Sequence, residues 1–532
     1  MPFDLENAFY AEEDIPEKFR LKKFALNRQY LLNGEILTYD KGTEVYSPLR
    51  IKERSKIKLV MVGEYPELSR KEALDSLKAA LDSYKGGTGE WAKMRVGDRI
   101  SCVQDFISKI KNIREEFALL EMWEIAKPYP SCLDEFDRTV RYIEDTITSL
   151  QNLDKKSSGI ISVENFVAQV RRTPLGIVLC MGPFNYPLNE TFAMLIPALI
   201  MGNSVIVKPP RYGALCLSLF MPAFACSFPK GTINFINGDG EGIIGPIIKS
   251  GEVNALGFIG STQVAKLLIN QHPHGNRLRT ILGLEAKNPA FILSDADLEK
   301  ASKECVKGAL EFNGQRCTAL KHIWVDEKIT EKFLQIFCNE VDSLKCGMPW
   351  EEGVTVTPLP EKNKVEWLGE LVEDAVTKGA RIINKNGGKS SGNLYYPTVL
   401  YPVTSDMKIY HVEQFGPVIP VSSFADIDEL KDYLFTSDYG QQASIFSTSA
   451  AKAIPLLDIL VHQVSRVNLN SQCRRGPDEF PFTGRKDSAE GTLSVYDALR
   501  AFSIRSLAVA NEDGRALFFD ALKENTSDFL WI

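Results

Sequence analysis

No Cys-x-x-Cys pair occurs among the ten cysteines, which are scattered from Cys102 to Cys473. Neither a disulfide framework nor a zinc site is expected; mostly buried thiols in a reducing compartment are. Histidine is scarce, with five in all. His272 and His274, in an HPHG stretch, read as a turn, and no metal is expected. The N-terminus, MPFDLENAFYAEEDIPEKF, lacks the basic start and apolar run of a secretory leader and the arginine- and serine-rich pattern of a transit peptide. The longest apolar run, TFAMLIPALIMG (191–202), is too short for a bilayer and contains a proline. Low-complexity tracts and short-period repeats are missing too, which excludes solenoids and disordered linkers. Basic residues are not in excess, and the net charge of −7 disfavours nucleic acid and anionic membranes as partners. These absences leave a cytoplasmic protein acting on small molecules as the expectation.

What is present is an ordinary globular composition. With 532 residues, 44% of them hydrophobic, the chain can bury a large core and should divide into two or three domains. Residues 1–57 read as short extended pieces, with Asn33-Gly34 in YLLNGEILTYD as a tight hairpin turn. From Arg70 to about Leu150, in segments 73–84, 99–113 and 136–150, apolar residues recur at helical spacing. Strand-like runs follow at 176–183, 204–210, 233–240, 255–260 and 290–295, separated by helix-length segments, which indicates a doubly wound parallel sheet over roughly 170–290. A second βα series runs through 322–329, 379–386, 398–403, 418–424 and 444–448. The last segment, from Phe502 to the end, has a strand and then an amphipathic piece. It either closes a surface of its own chain or packs on another subunit.

Four segments can carry chemistry. GDGEGIIG (238–245) holds a formal Gly-x-Gly-x-x-Gly, but the acidic residue expected about twenty positions on is missing, so a turn is the first reading. In FIGSTQVAKLL (258–268) a strand ends at Gly260-Ser261 as a helix begins, offering N–H groups and a hydroxyl to a phosphate, or simply an N-cap. PFNYP (183–187) holds Asn185 stiffly between prolines, as an oxyanion donor requires, though a plain loop is the alternative. NGQRCTALK (313–321) sets Cys317 beside Arg316 among small and polar residues, the setting of a reactive thiolate.

Together with KPP (208–210), EQFGPV (413–418) and RGPDEFPFTGRKDS (475–488), these motifs resemble the aldehyde dehydrogenase superfamily, in order, from about residue 30 to residue 510. The resemblance implies an α/β fold made of a nucleotide-binding domain (1–285, with an oligomerisation arm near 155–173), a catalytic domain (286–485) and a return segment with an oligomerisation strand and tail (486–532). It implies a homodimer or homotetramer. Cys317 would attack the aldehyde, with Asn185 and the cysteine N–H holding the oxyanion. Lys208 and Glu413 would hold the cofactor riboses, Gly260 and Ser261 a phosphate, and Phe415 the nicotinamide region. Many NAD-preferring relatives carry a glutamate three residues after the lysine. Here that place is Arg211, which favours NADP over NAD.

Within the superfamily, AKP (126–128), PFNYP, GQRCTA and RGPDEFPFTGRKDS are similar to non-phosphorylating glyceraldehyde-3-phosphate dehydrogenases. That branch implies a phosphate cage of Arg316, Tyr186, Arg475 and Arg141, with Arg138 as the rival of Arg141. One departure stands out. Where the family reads ELGGK, this chain reads GLEAK (283–287), so Gly283 replaces the usual water-activating glutamate and Glu285 lies two residues on. If Glu285 takes over as base, the product is the acid. If not, the thioester awaits another acceptor such as coenzyme A, or the chain is a catalytically retired binding protein.

Overall fold

The computed structural model describes residues 10–53, 56–157 and 159–531. The start of the acidic N-terminus, residues 1–9, lies outside them. The Asn33-Gly34 turn forms as expected: Gln29–Leu32 pairs antiparallel with Glu35–Thr38, and both turn residues have positive φ, 51° and 78°, the pair of angles a type I′ turn needs.

An eight-stranded sheet carries the parallel strands in the order Ile233–Phe235, Ser204–Val207, Ile177–Met181, Val253–Ile259, Arg279–Gly283. The hairpin extends one edge, and Ala489–Glu490 returns to close the other, antiparallel to Leu282–Gly283. Strand order reverses between Ile177–Met181 and Val253–Ile259, so their C-terminal ends flank the crevice where open α/β sheets bind ligands. The helix Pro187–Ile200 is buried along its whole length, as its all-round apolar sequence requires of a helix wedged between a sheet and other helices.

A second, seven-stranded sheet holds Leu320–Asp326, Val418–Phe424, Thr398–Tyr401 and Gln442–Phe446. It also holds Asn288–Ile292, which pairs parallel with Leu320–Asp326 and Gln442–Phe446. Periodicity alone had grouped that run with the first sheet. Buried parallel strands are uniformly apolar and do not announce which sheet they join.

The glycine run at 238–245 forms a single wide helical turn, Gly240–Ile244, capped by Asp239, in keeping with its reading as a turn. A three-stranded sheet joins Ile160–Val163, Phe166–Pro174 and Ser503–Ala510. The tail folds back on it: Phe518 and Leu522 pack on Val167, Gln169 and Arg171 donate to the Trp531 carbonyl, and the Arg171 guanidinium lies over the Trp531 ring. The tail thus closes an intrachain surface, while Leu507 and Val509 on the strand Ser503–Ala510 stay exposed. Among the described residues no helix is long and apolar enough to cross a membrane.

Gly182 joins the central strand to the corner carrying Asn185. A Cβ there would lie 1.8 Å from Thr191 Oγ1 and 3.1 Å from its Cα, so strand end and helix touch at a contact only glycine permits. Gly182→Ala is therefore expected to destabilise the protein by about 1–3 kcal/mol, the usual scale of overpacking, as a lowered midpoint in urea. An unchanged midpoint would show that the helix yields freely.

Candidate functional site

The crevice at the strand-order reversal opens into a cavity of about 980 Å³ that runs between the two sheets. Gly260, Ser261 and Val264 line it together with Arg211 and Tyr212, and so do Cys317, Asn185, Tyr186, Arg316, Arg475, Arg138, Glu413, Phe415, Gly283 and Glu285.

Asn185 is set from beneath. Lys127, fully buried, pairs with Glu121 and Glu135 and donates to the Asn185 carbonyl at 3.1 Å. The other oxygen of Glu135 accepts from the N–H groups of Leu188 and Asn189, the first turn of the helix that begins at Pro187, where free donors need partners. The Lys127 ammonium also lies 3.6 Å from the Tyr186 ring centroid. Asn185 Nδ2 donates to the Gln315 carbonyl at 2.8 Å, so the amide already faces the segment that bears the cysteine.

That segment is strained. Phe312, Asn313 and Gly314 have φ of 46°, 59° and 70°, a run of left-handed residues that lifts Cys317 out of the helix Leu298–Leu310 and into the cavity. Asn313 is pinned by Thr357, whose N–H it accepts and whose hydroxyl its amide reaches. Burial pushes the Cys317 thiol up to about 11, Glu190 acting in the same direction while Lys321 and Arg475 oppose it. At neutral pH it rests as the thiol, and a base must take its proton before attack.

Lys321 and Glu190 escaped the sequence reading. Lys321 is buried, donates to the Cys317 carbonyl at 2.9 Å and pairs with Glu413 at 2.5 Å. Glu413 also accepts from the Ala286 N–H. Glu190, in the first turn after Tyr186, forms a buried ion pair with Arg475. A single acid in an otherwise apolar, wholly buried helix was the signal that could have found it.

The arginines do not all stand as expected. Arg316 lines the cavity but is engaged by the Gly308 carbonyl, Gln472 and Glu311. Arg475 bonds Glu190 and Asp478, and its Nη2 is buried without a hydrogen-bond partner among the described residues. Arg141 is a correction: it is exposed and lies off the cavity, among the surface acids Asp137 and Asp145. Arg138, one turn earlier, lines the cavity instead and grips Asp478 through two donors. Lys208 does not line the cavity wall. It sits beside Arg211 and Asp239 near the strand end, and burial lowers its pKa to about 8.

Ser261 caps the helix Thr262–Gln271 by accepting from Val264. Glu285 turns to the same place: its carboxylate accepts the Thr262 N–H at 3.1 Å. It is thus bound at the helix N-terminus, while Glu190 and then Glu413 are the acidic groups that push the Cys317 thiol up.

A cavity at the strand-order reversal of a doubly wound sheet, lined by a helix N-terminus, a cysteine and a buried asparagine, is the kind of site a nucleotide-dependent oxidoreductase uses. The chain belongs to the aldehyde dehydrogenase family, whose profile matches residues 47–506. It is 33% identical over 485 residues to the NADP-dependent glyceraldehyde-3-phosphate dehydrogenase of Streptococcus equinus, covering 90% of this chain and 98% of that one. To the Arabidopsis thaliana protein of the same name it is 31% identical over 445 residues, covering 82% and 88%. The crystal structure of NADP-dependent glyceraldehyde-3-phosphate dehydrogenase from Bacillus halodurans, complexed with NADP, superposes with a TM-score of 0.83 at 30% identity, over 91% of this chain and 99% of that one. The fold expectation is borne out.

The position of Glu285 generates a prediction. A carboxylate on a helix N-terminal N–H repels an incoming pyrophosphate by an amount of the order of 1 kcal/mol. Glu285→Gln should therefore tighten dinucleotide binding several-fold in a fluorescence titration. Weaker binding, or a trapped acyl-enzyme in this variant, would return Glu285 to the role of base.

Proposed function

We propose that the protein oxidises a phosphorylated aldehyde, glyceraldehyde 3-phosphate or a close analogue, to the carboxylic acid with NADP as the hydride acceptor. The observation that carries this reading is that Cys317, Asn185, Arg138, Arg316, Arg475 and the Gly260-Ser261 helix N-terminus all line one cavity. The named relatives support the substrate and the cofactor.

The residues fit a dinucleotide. Ser261, exposed and lining the cavity, offers a hydroxyl at the N-terminus of the helix Thr262–Gln271. Lys208 and Arg211 supply two cations where a 2′-phosphate would lie, and no carboxylate follows the lysine to repel it. Glu413, fixed by Lys321 and the Ala286 N–H, faces the cavity beside Phe415, whose φ of 43° turns its ring towards Phe184. Bound there, oxidised NADP would accept the hydride.

The chain's own groups do the rest. The Cys317 sulfur attacks the aldehyde carbon once a base has taken the thiol proton. The resulting alkoxide is held by Asn185 Nδ2, released from Gln315, and by the Cys317 N–H. Loss of hydride leaves a thioester on Cys317. Arg475, whose Nη2 has no hydrogen-bond partner among the described residues, and Arg138 supply guanidinium donors for the substrate's phosphate, with Arg316 and Tyr186 lining the same cavity. The cytoplasm is the compartment that would keep this thiol reduced. The outward apolar side chains Ile161, Val163, Phe166, Leu507 and Val509 on the three-stranded sheet support assembly into a homo-oligomer through that face.

Purified protein with glyceraldehyde 3-phosphate and NADP⁺, in buffer free of phosphate and coenzyme A, should form NADPH continuously, and Cys317→Ser should form none. Arg211→Glu is expected to raise the KM for NADP⁺ by at least about tenfold, the loss of one charge-assisted phosphate contact, and to improve NAD⁺ use. If Arg211→Glu leaves the preference unchanged, this arginine does not read the 2′-phosphate.

Lys208 supplies a pH dependence. Its pKa is lowered to about 8 in the free protein, first by burial and further by Arg211, and a bound phosphate would raise it. Binding must then take up a proton above pH 8. Affinity should be constant below about pH 7.5 and fall by up to about tenfold per pH unit above pH 8. Calorimetry in buffers of different ionisation enthalpy measures the uptake directly, and zero uptake at pH 8.5 would exclude Lys208.

A further inference from the structure

Deacylation has lost its usual base in this chain, since Gly283 stands where the family pattern places a glutamate. The acidic side chains lining the cavity are Glu190, Glu285, Glu311, Glu361 and Glu413. Glu285 is held on the Thr262 N–H, Glu311 on Arg316, and Glu361 on Gln315 Nε2. Of the five, Glu190 and then Glu413 weigh most on the Cys317 thiol, and Glu413 is bound by both Lys321 and the Ala286 N–H.

Glu190 differs from the others. It stands on the first turn of the helix that starts at Pro187, its own N–H bonded to the Tyr186 carbonyl. The oxyanion donor Asn185 and this carboxylate thus belong to one rigid corner. Its Oε2 meets Arg475, while Oε1 makes no hydrogen bond among the described residues and the side chain lines the cavity with Cys317. Such a group can accept a proton from a water held between it and a thioester on the cysteine.

We propose that Glu190 is the general base that activates water to hydrolyse the Cys317 thioester, a role moved from the strand end at Gly283 to the helix Pro187–Ile200. This rests on the proposed function above. Glu190 takes one proton from water as the water oxygen bonds to the thioester carbonyl carbon. The oxyanion so formed is held by Asn185 Nδ2 and the Cys317 N–H. It collapses with cleavage of the carbon–sulfur bond, the electron pair leaving on sulfur as thiolate. The carboxylic acid departs as its anion, and the two protons released, one on Glu190 and one from the product, go to the thiolate and to solvent. No oxidant is consumed in this half of the cycle. Burial raises the pKa of Glu190, with Arg475 and then Arg138 opposing and Asp478 and Glu135 reinforcing the rise, which makes it a stronger base than a solvated carboxylate.

Stopped-flow NADPH formation with glyceraldehyde 3-phosphate, combined with intact-protein mass spectrometry, separates the two half-reactions. In Glu190→Gln we expect a burst of about one NADPH per site, followed by a steady rate about 10²–10⁴-fold below wild type. An acyl adduct should be found on Cys317. Hydroxylamine, a nucleophile that needs no base, should restore turnover. A steady rate close to wild type in Glu190→Gln overturns the proposal. If that variant loses the burst as well, Glu190→Asp decides: a burst with slow deacylation sustains the proposal, whereas loss of the burst there too assigns Glu190 to folding or acylation and overturns it. The parent reading fails separately. Wild-type protein forming no NADPH sinks the oxidation itself. A wild-type burst without turnover leaves the oxidation standing but removes hydrolysis, and this inference with it.

Discussion

A buried ammonium sits at the centre of the arrangement. Lys127 is wholly enclosed, and two carboxylates, Glu121 and Glu135, are buried with it. Charges withdrawn from water at this depth persist only when paired and hydrogen-bonded, and removing one partner from such a set costs about 3–5 kcal/mol. The surrounding structure follows from satisfying them. The Asn185 carbonyl is drawn to Lys127, and the Tyr186 ring covers the cation. Glu135 caps the helix that begins at Pro187. The corner carrying Asn185 and Glu190 is thus fixed by electrostatics from below and, at Gly182, by close packing from the side.

The cavity divides its charges by task. Around the cysteine, burial keeps the thiol neutral at rest, and the nearest cation, Lys321, is occupied with Glu413 and the Cys317 carbonyl. A neutral thiol is protected from oxidation until substrate and cofactor are in place, because the thiolate is the reactive form. The arginines are organised differently. Arg138 and Arg475 share Asp478, and Arg475 also holds Glu190. These guanidiniums are positioned by acids, so their donors are oriented before any anion arrives and less freedom is lost on binding.

Much of this was legible in the sequence. The Asn33-Gly34 hairpin, the helices after Arg70 and most strand runs follow local rules of turn chemistry and periodicity and stand where those rules put them, whereas the strand Arg279–Gly283 was not among the runs. The motif residues Cys317, Asn185, Ser261 and Glu413 were visible because they lie in short, rigid segments. Three things were not. Periodicity alone ran Asn288–Ile292 on from the first series, although the resemblance put residues 286–485 in the catalytic domain, because a doubly buried strand has no polar face to orient it. Arg141 was preferred to Arg138 because residues one turn apart on a long helix share much of a face, and their separation depends on where Asp478, 340 residues away from Arg138, comes to lie. Lys321 and Glu190 were missed because their partners, Glu413 and Arg475, are remote in the chain. Long-range ion pairs leave no trace in spacing.

Moving a base from Gly283 to Glu190 changes what deacylation depends on. A carboxylate at position 190 is paired with Arg475 and so shares that guanidinium with any anion the arginine takes up. When a phosphate takes donors from Arg475, the carboxylate loses part of its counter-charge and gains a negative neighbour. Both effects raise its proton affinity. A substrate without the phosphate leaves the ion pair intact and the carboxylate a weaker base. Recognition of the substrate's far end and hydrolysis at its near end are then coupled through one guanidinium. Discrimination between phosphorylated and plain aldehydes would accordingly appear in kcat as well as KM, since the binding interaction acts on the rate of a chemical step.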